Sequence, residues 1–83
     1  MNIYVGNLDY EVDEQQLADL FEAHGAVSEV KIITDKYSGR SKGFGFVTME
    51  NQDEAKKAIQ ELNGAMLENR EITVNEARPR NNN

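Results

Sequence analysis

The apolar residues of this chain follow the order strand, helix, strand, and they follow it twice within 83 residues. In the first half, residues 3–8 and 27–34 have the period-two pattern in which successive side chains point to opposite faces, and this pattern predicts two strands. Between them Asp13, with Gln16 three positions later, predicts a helix start of the capping-box type. Apolar residues at helical spacing follow, and Gly25 predicts the end of this helix. The first half is therefore predicted to be a βαβ unit.

The second half repeats the pattern after a predicted loop over residues 35–41. Residues 42–49 and 70–77 are predicted as strands. Between these strands a second apolar stripe at helical spacing predicts a helix that starts at the cap residue Asn51 and ends before Gly64. The second half is thus a second βαβ unit.

Two βαβ units with right-handed crossovers place both helices on the same face of one sheet. The predicted fold class is therefore α+β: a ferredoxin-like βαββαβ domain with a four-stranded antiparallel sheet and two helices on one face. The opposite face of the sheet is left without a covering helix. The side chains expected to form the core are Ile3, Val5, Leu17, Leu20, Phe21, Val30, Ile32, Val47, Ile59, Leu62, Ile72 and Val74.

Strand alternation places three aromatic side chains, those of Tyr4, Phe44 and Phe46, on the uncovered face. A bare antiparallel face should be polar, and an exposed apolar surface usually marks a binding site. By strand rise the two phenylalanines are roughly 7 Å apart, a spacing that suits two neighbouring nucleic-acid bases. The alternative, in which the three rings belong to a core, requires a second sheet or a third helix.

The strand over residues 42–49 also contains two glycines, which lower its strand propensity. Gly43 and Gly45 take inward positions beside the phenylalanines. We expect them to leave room for helix packing and for a local bend of the strand.

The formal net charge of −6, taken alone, argues against a polyanionic ligand. The charges are nevertheless segregated along the chain. Residues 9–24 contain six acids and no lysine or arginine, whereas residues 31–42 contain four bases and one acid. This segregation predicts a basic border beside the aromatic face and an acidic surface around the first helix. The bases expected to contact the ligand are Lys31, Arg40, Lys42 and Arg78.

Two segments match the motifs of a known family. Residues 3–8, Ile-Tyr-Val-Gly-Asn-Leu, resemble the six-residue ribonucleoprotein motif 2 of the RNA recognition motif. Residues 42–49, Lys-Gly-Phe-Gly-Phe-Val-Thr-Met, resemble its eight-residue motif 1. The resemblance covers nearly the whole chain, and so short a chain is most similar to the small bacterial proteins with one such domain.

That resemblance implies a sheet with the strand order 4-1-3-2 and a ligand of single-stranded RNA. Tyr4 and Phe44 would stack on successive bases, and Phe46 would pack on the sugars between them. The domain would extend over residues 1–78, followed by a short disordered tail over residues 79–83.

The resemblance also implies roles for polar residues around the rings. Asn7 would order the loop after the first strand, and Lys42 would contact a phosphate. Asn75 and Arg78, with the residues between them, would help to read base edges. One departure is Met49, where the motif commonly ends in an aromatic residue. Because this position faces inward, we expect Met49 to change the packing and to leave the binding surface intact.

An enzyme of the acylphosphatase type would share this topology, but it needs an arginine in a phosphate-binding loop. The loop over residues 7–11 is acidic and has no arginine. The chain has no cysteine and a single histidine, His24, which falls on the apolar stripe near a helix end. We therefore expect no catalytic residue, no metal site and no cofactor.

Two other partners stay open at this point. A basic protein could dock on the acids of the first helix, although such a surface is more simply a solvated face that keeps a domain soluble. Single-stranded DNA is an alternative ligand, because base stacking tolerates either sugar.

No apolar run in the sequence is long enough to span a bilayer, and no apolar signal segment follows Met1. We therefore expect a cytoplasmic protein without a membrane partner. A single RNA-binding domain of this kind is expected to act as a monomer in post-transcriptional regulation.

Overall fold

The computed structural model describes residues 1–39 and 41–77 of the chain. The predicted tail over residues 79–83 lies outside the described residues. In chain order the elements are β1 (Asn2–Gly6), α1 (Glu14–Glu22), β2 (Val27–Thr34), β3 (Ser41–Met49), α2 (Gln52–Leu62), β4 (Met66–Leu67), β5 (Arg70–Glu71) and β6 (Thr73–Glu76).

Four strands form one antiparallel sheet in the order β2-β3-β1-β6. Since β6 is the fourth of the predicted strands, the expected order 4-1-3-2 is confirmed. Helix α1 packs on β2, and α2 packs on β6 and β3. The α+β, ferredoxin-like arrangement with both helices on one face is thereby confirmed.

Both helices begin where the sequence predicts, because side-chain caps hold their first turns. The backbone N–H of Gln16 donates to Asp13 Oδ1 at 2.8 Å, and the Asp13 N–H donates to Gln16 Oε1 at 3.1 Å, which completes a capping box. At the start of α2 the Glu54 N–H donates to Asn51 Oδ1 at 3.0 Å. Each cap satisfies a backbone donor that the helix itself leaves unpaired.

Helix α1 does not end at Gly25 with a left-handed glycine, as the sequence predicts. The helix ends at Glu22 and is capped by Ala23, whose backbone, with a φ of −64°, is in the right-handed helical region. Gly25 is not among the residues with positive φ. A Cβ at Gly25 would instead lie 2.5 Å from Glu54 Oε1, so the absence of a side chain makes room for α2. A close approach between two distant segments cannot be seen in the pattern of one helix.

The strand predicted over residues 70–77 is divided at Ile72. The Ile72 N–H donates to the Ala65 carbonyl at 2.9 Å, and the Gly64 N–H donates to the Ile72 carbonyl at 2.9 Å. Ile72 is therefore bonded to the segment that follows α2 and not to β1. The residues before it form β5, which pairs with β4 in a separate hairpin, and those after it form β6, which pairs with β1.

The hydrophobic core lies between the sheet and the two helices. Met49 is fully buried, as its inward position predicts. Some side chains expected in the core lie partly buried at its border, namely those of Leu20, Val30, Ile32 and Ile59. Four apolar side chains outside the expected core set are also buried, namely those of Leu8, Val12, Ala55 and Ala58. The two alanines belong to the apolar stripe predicted for the second helix.

Gly45 of β3 makes room for the backbone of β2 rather than for a helix, which corrects the expectation. A Cβ at Gly45 would collide with the Lys31 carbonyl oxygen of β2 and would lie 3.1 Å from Ile32 Cα. Gly43 has a φ of +86°, in the left-handed region that favours glycine. The register of β2 with β3 shifts between Ile32 and Thr34, whose partners Gly45 and Ser41 lie on either side of Gly43. Such an irregularity is typical of a bulged strand, and the local bend itself stays a prediction.

Replacing Gly45 with alanine should lower the free energy of unfolding by about 1–3 kcal/mol, because the new methyl group forces β2 away from β3. Urea unfolding of the variant and the parent measures the change. An unchanged unfolding midpoint would show that β2 can move aside without cost.

Candidate nucleic-acid interface

The three predicted aromatic side chains form one cluster on the open face of the sheet. Tyr4 of β1 is paired in register with Phe46 of β3, and their ring centroids are 5.9 Å apart. The Phe44 ring lies 6.1 Å from the Tyr4 ring and 6.3 Å from the Phe46 ring. All three side chains are half-buried. The cluster, here called the aromatic platform, therefore presents ring surface that neither helix covers.

Strict alternation along β1 and β3 directs the platform rings away from the helices. Ile3 and Val5, on either side of Tyr4, are fully buried in the core. On β3 the fully buried Val47 follows Phe46 in the same way. Because the residues on both sides of Tyr4 and of Phe46 are buried, a slip of register by one residue would bury these rings and expose the core.

The position of the Tyr4 ring depends on Gly6, the last residue of β1. A Cβ at Gly6 would lie 2.5 Å from the Tyr4 hydroxyl oxygen and 2.8 Å from two ring carbons. The Tyr4 ring therefore leans along its strand over Gly6. Both residues belong to the motif of residues 3–8, where the sequence interpretation gave Gly6 no role.

Asn7 joins the loop after β1 to the hairpin of β4 and β5. Its φ of 57° is left-handed. Asn7 Nδ2 donates to the Glu71 carbonyl at 2.6 Å, and Arg70 Nη1 donates to Asn7 Oδ1 at 3.2 Å. The Arg70 guanidinium also lies 5.7 Å from the centroid of the Tyr10 ring. These contacts hold the loop against the hairpin, whereas a contact of Asn7 with RNA stays a prediction.

Two of the predicted polar contacts flank the platform from opposite sides. Lys31 of β2 is paired in register with Phe46, and Asn75 of β6 is paired with Tyr4. Both side chains are exposed. Since paired residues share a face of the sheet, Lys31 and Asn75 border the rings as the sequence predicted. Their contacts with a ligand remain predictions.

Three basic residues of the predicted site cannot be placed against the platform, namely Arg40, Lys42 and Arg78. Arg40 and Arg78 lie outside the described residues. Lys42 lies in β3, beside Gly43, and its backbone alone is described. The roles of these three residues in phosphate or base contacts stay predictions.

The sequence interpretation missed a polar recess beside Phe46. The recess has a volume of about 330 Å³. Its polar walls include Glu29 of β2, which is paired in register with Thr48 of β3. The sequence carries part of the signal, because Glu29 is two positions from Lys31 on one strand. The recess also needs the register of β2 with β3, which the strand pattern does not give. Its full lining is Asn2, Glu29, Lys31, Phe46, Thr48 and Ala77.

The acidic residues of α1 lie on the helical side of the sheet. Glu14, Asp19 and Glu22 are exposed, and Glu14 Oε2 accepts a hydrogen bond from the Ile32 N–H on the edge strand β2 at 3.3 Å. The predicted segregation of charge along the chain therefore keeps these acids away from the platform. Glu29 of β2, which is not one of these acids, lies on the open face.

The described residues, 1–39 and 41–77, contain no group of three or more His, Cys, Asp or Glu side chains that could hold a metal ion.

Among the same described residues, neither helix has the length and apolar character needed to cross a membrane.

The fold and the site define a ferredoxin-like domain whose open sheet face carries a cluster of aromatic rings. A family model described as RNA recognition motif matches residues 3–73. The chain therefore belongs to the RNA recognition motif family.

Relatives and solved structures agree with this assignment. The chain is similar to the putative RNA-binding protein RbpA of Synechocystis sp., with 46% identity over 99% of this chain and 81% of that protein. It is also similar to the 29 kDa chloroplast ribonucleoprotein of Arabidopsis thaliana, with 53% identity over 94% of this chain and 23% of that protein. The chain spans about a quarter to a third of the length of such plant relatives.

Among solved structures, the crystal structure of RNA binding protein PG1 has a TM-score of 0.93 and 48% identity, with 98% of both chains covered. A Sxl-lethal protein/RNA complex has a TM-score of 0.90 and 31% identity, and the match covers 98% of this chain and 48% of that one. The expected resemblance to small proteins with one RNA recognition motif is confirmed.

Proposed function

We propose that this chain is an RNA-binding protein that holds short single-stranded RNA on the open face of its sheet. The observation that carries the proposal is the aromatic platform, in which three rings lie within 6.3 Å of one another on a face that neither α1 nor α2 covers. Exposed apolar surface of this kind is unfavourable in free energy, and a bound base would remove it from water. Family membership and the names of the relatives support the same ligand.

The platform suits single strands because each ring offers a stacking surface to an unpaired base. Stacking on an aromatic side chain contributes about 1–3 kcal/mol per base and depends little on base identity. Tyr4 and Phe44 would receive successive bases, with Phe46 against the sugars between them. Lys31 and Asn75 would then lie beside the bound strand on opposite sides of the rings.

The single substitution Phe44→Ala tests this proposal. We expect a loss of about 1–3 kcal/mol in binding free energy for a random-sequence RNA pool, because one stacking surface is removed. The fold should survive, since the ring is only half-buried. Met66→Ala is the matched control, because Met66 is 66% exposed on the separate hairpin. Equal affinity of Phe44→Ala and the parent would show that the platform does not bind RNA.

The electrostatic part of binding should be small and should depend on Lys31. A single-stranded ligand releases counterions in proportion to the phosphates that the protein neutralises, so Lys31→Gln should flatten the slope of log affinity against log salt by roughly 0.7. Binding titrations at several salt concentrations measure this slope. Lys56→Gln removes the same charge from α2, behind the sheet, and should leave the slope unchanged. A flattening of equal size in both variants would contradict a phosphate contact at Lys31.

We propose further that the protein is a binding module and not an enzyme, and that it acts as a monomer in the cytoplasm in post-transcriptional regulation. The two relatives named above are a putative RNA-binding protein from Synechocystis sp. and a chloroplast ribonucleoprotein. Single-stranded DNA is the alternative ligand of the same platform. Parallel titrations with RNA and DNA of one sequence distinguish the two, and a preference for DNA would overturn the choice of RNA.

A basic protein partner at the acidic surface of α1 is the second candidate function. A groove of about 650 Å³ lies at the start of this helix, with Glu11, Asp13 and Glu14 in its walls. Carboxylates around an open groove favour a lysine-rich segment. Titration with a lysine-rich peptide tests this role, and binding that is insensitive to Glu11→Gln would exclude it.

A further inference from the structure

The polar recess beside Phe46 lies at one end of the open face, where β1 begins and β6 ends. Its volume of about 330 Å³ exceeds that of a single nucleobase, and Phe46 forms its apolar wall. Apart from Ala77, the other walls are polar or charged side chains. The recess is therefore a place where a base that contacts the platform could be recognised by its edge.

A carboxylate and an ammonium group stand side by side at this recess. Glu29 and Lys31 are two positions apart on β2, and their partners across the sheet are Thr48 and Phe46. Side chains two positions apart on a strand share a face and are separated by roughly 7 Å at the backbone. Both side chains are exposed, so the recess offers a pair of acceptor oxygens next to a positively charged donor.

The third polar wall is fixed by a hydrogen bond within the protein. Thr48 Oγ1 donates to Asn2 Oδ1 at 3.0 Å. Because the amide oxygen of Asn2 is engaged in this way, its Nδ2 group is the part that can donate to an acceptor on a ligand. The recess therefore combines one acidic acceptor with two kinds of donor.

Of the four RNA bases, guanine alone carries two adjacent N–H donors, N1–H and the 2-amino group, next to a carbonyl acceptor. A carboxylate can accept both donors at once, while a lysine donates to O6 or N7. Uracil has one donor between two carbonyl oxygens that a carboxylate repels. Adenine and cytosine each place an acceptor ring nitrogen beside their amino group, which leaves one carboxylate oxygen facing an acceptor.

We propose that the recess is a guanine-specific subsite, in which Glu29 accepts hydrogen bonds from N1–H and the 2-amino group. Lys31 has three N–H donors, and it would donate one to O6 or N7 while another contacts a phosphate. The proposal rests on the proposed function, because the base must be part of an RNA bound on the platform. It gives the site a sequence preference that stacking alone does not supply. It also accounts for an acid on a surface that binds a polyanion, since a carboxylate there is favourable only when a ligand donates to it.

The test uses three RNA octamers: octauridylate, the same strand with one central guanosine, and the same strand with inosine at that position. Inosine lacks only the 2-amino group, so the pair isolates one of the proposed hydrogen bonds. For the parent protein we expect the guanosine strand to bind about tenfold tighter than the inosine strand. In Glu29→Gln this difference should disappear, and octauridylate should bind more tightly because a charge that repels phosphate has been removed.

Glu61→Gln is the matched control, since Glu61 is an exposed acid on α2, behind the sheet. This variant should keep the preference of the parent for guanosine over inosine. If octamers bind the parent but guanosine and inosine bind equally, or if Glu29→Gln keeps the preference, the guanine subsite is wrong and RNA binding stands. If none of the octamers binds the parent, the proposed function itself fails.

Discussion

Joint replacement of Tyr4, Phe44 and Phe46 by alanine should reduce RNA binding below the range of a titration while the domain stays folded. Three stacking surfaces contribute roughly 3–9 kcal/mol in gross terms. Immobilising a flexible strand offsets much of this gain. The variant would be left with contacts from polar and charged side chains alone, which are too few for stable binding.

The three single substitutions should not add up to the effect of the triple variant. The rings contact one another, with centroids 5.9 to 6.3 Å apart, so the loss of one ring changes the support of the other two. Fluorescence anisotropy with a labelled oligonucleotide measures affinity, and circular dichroism reports the fold.

A matched triple variant controls for the loss of exposed apolar surface in general. Tyr10, Tyr37 and Met66 are 63%, 99% and 66% exposed, and none lies in the platform. Their joint replacement by alanine should retain most of the RNA affinity. If the two triple variants lose affinity equally, the cause is general apolar surface and not the platform.

Replacing Phe21 with alanine should have the largest effect on stability, a loss of about 3–5 kcal/mol in the free energy of unfolding. Phe21 of α1 is fully buried and belongs to the largest side chains of the core. Small domains have a total stability of about 5–15 kcal/mol, so this loss would remove a large part of the stability of a domain at the lower end of that range. Urea unfolding followed by circular dichroism measures the change.

The neighbouring substitution Glu22→Ala is the control, because Glu22 is exposed at the end of the same helix. It should change the free energy of unfolding by no more than about 0.5 kcal/mol. The folded fraction of Phe21→Ala should bind RNA with the affinity of the parent, since Phe21 lies on the side of the sheet away from the platform. A loss of intrinsic affinity would mean that α1 takes part in binding.

The sequence was sufficient to predict the topology and the platform because both depend on local periodicity. Tyr4 alternates with Ile3 and Val5, and that alternation determines which face each side chain takes once the helices are assigned to one side. The starts of the helices were also predictable, because Asp13 acts on a backbone group only three residues away.

Features that depend on contacts between distant segments were not predictable in this way. Gly45 is required by the backbone of β2, and Gly25 by a side chain of α2. Ile72 reads as the middle of a strand, but its hydrogen bonds to the segment after α2 divide that strand in two. The recess at Glu29 was missed because it needs the register between β2 and β3, which shifts between Val27 and Glu29.

The central place of β1 in the sheet has a consequence for synthesis of the protein. Of the four strands in this sheet β1 is synthesised first, yet it pairs with β3 on one side and with β6, the last of the four, on the other. A nascent chain that ends before β6 already contains Tyr4, Phe44 and Phe46, but β1 lacks one of its two neighbours. The edge of the open face that carries Asn75 beside Tyr4 is therefore completed only after β6 has been synthesised.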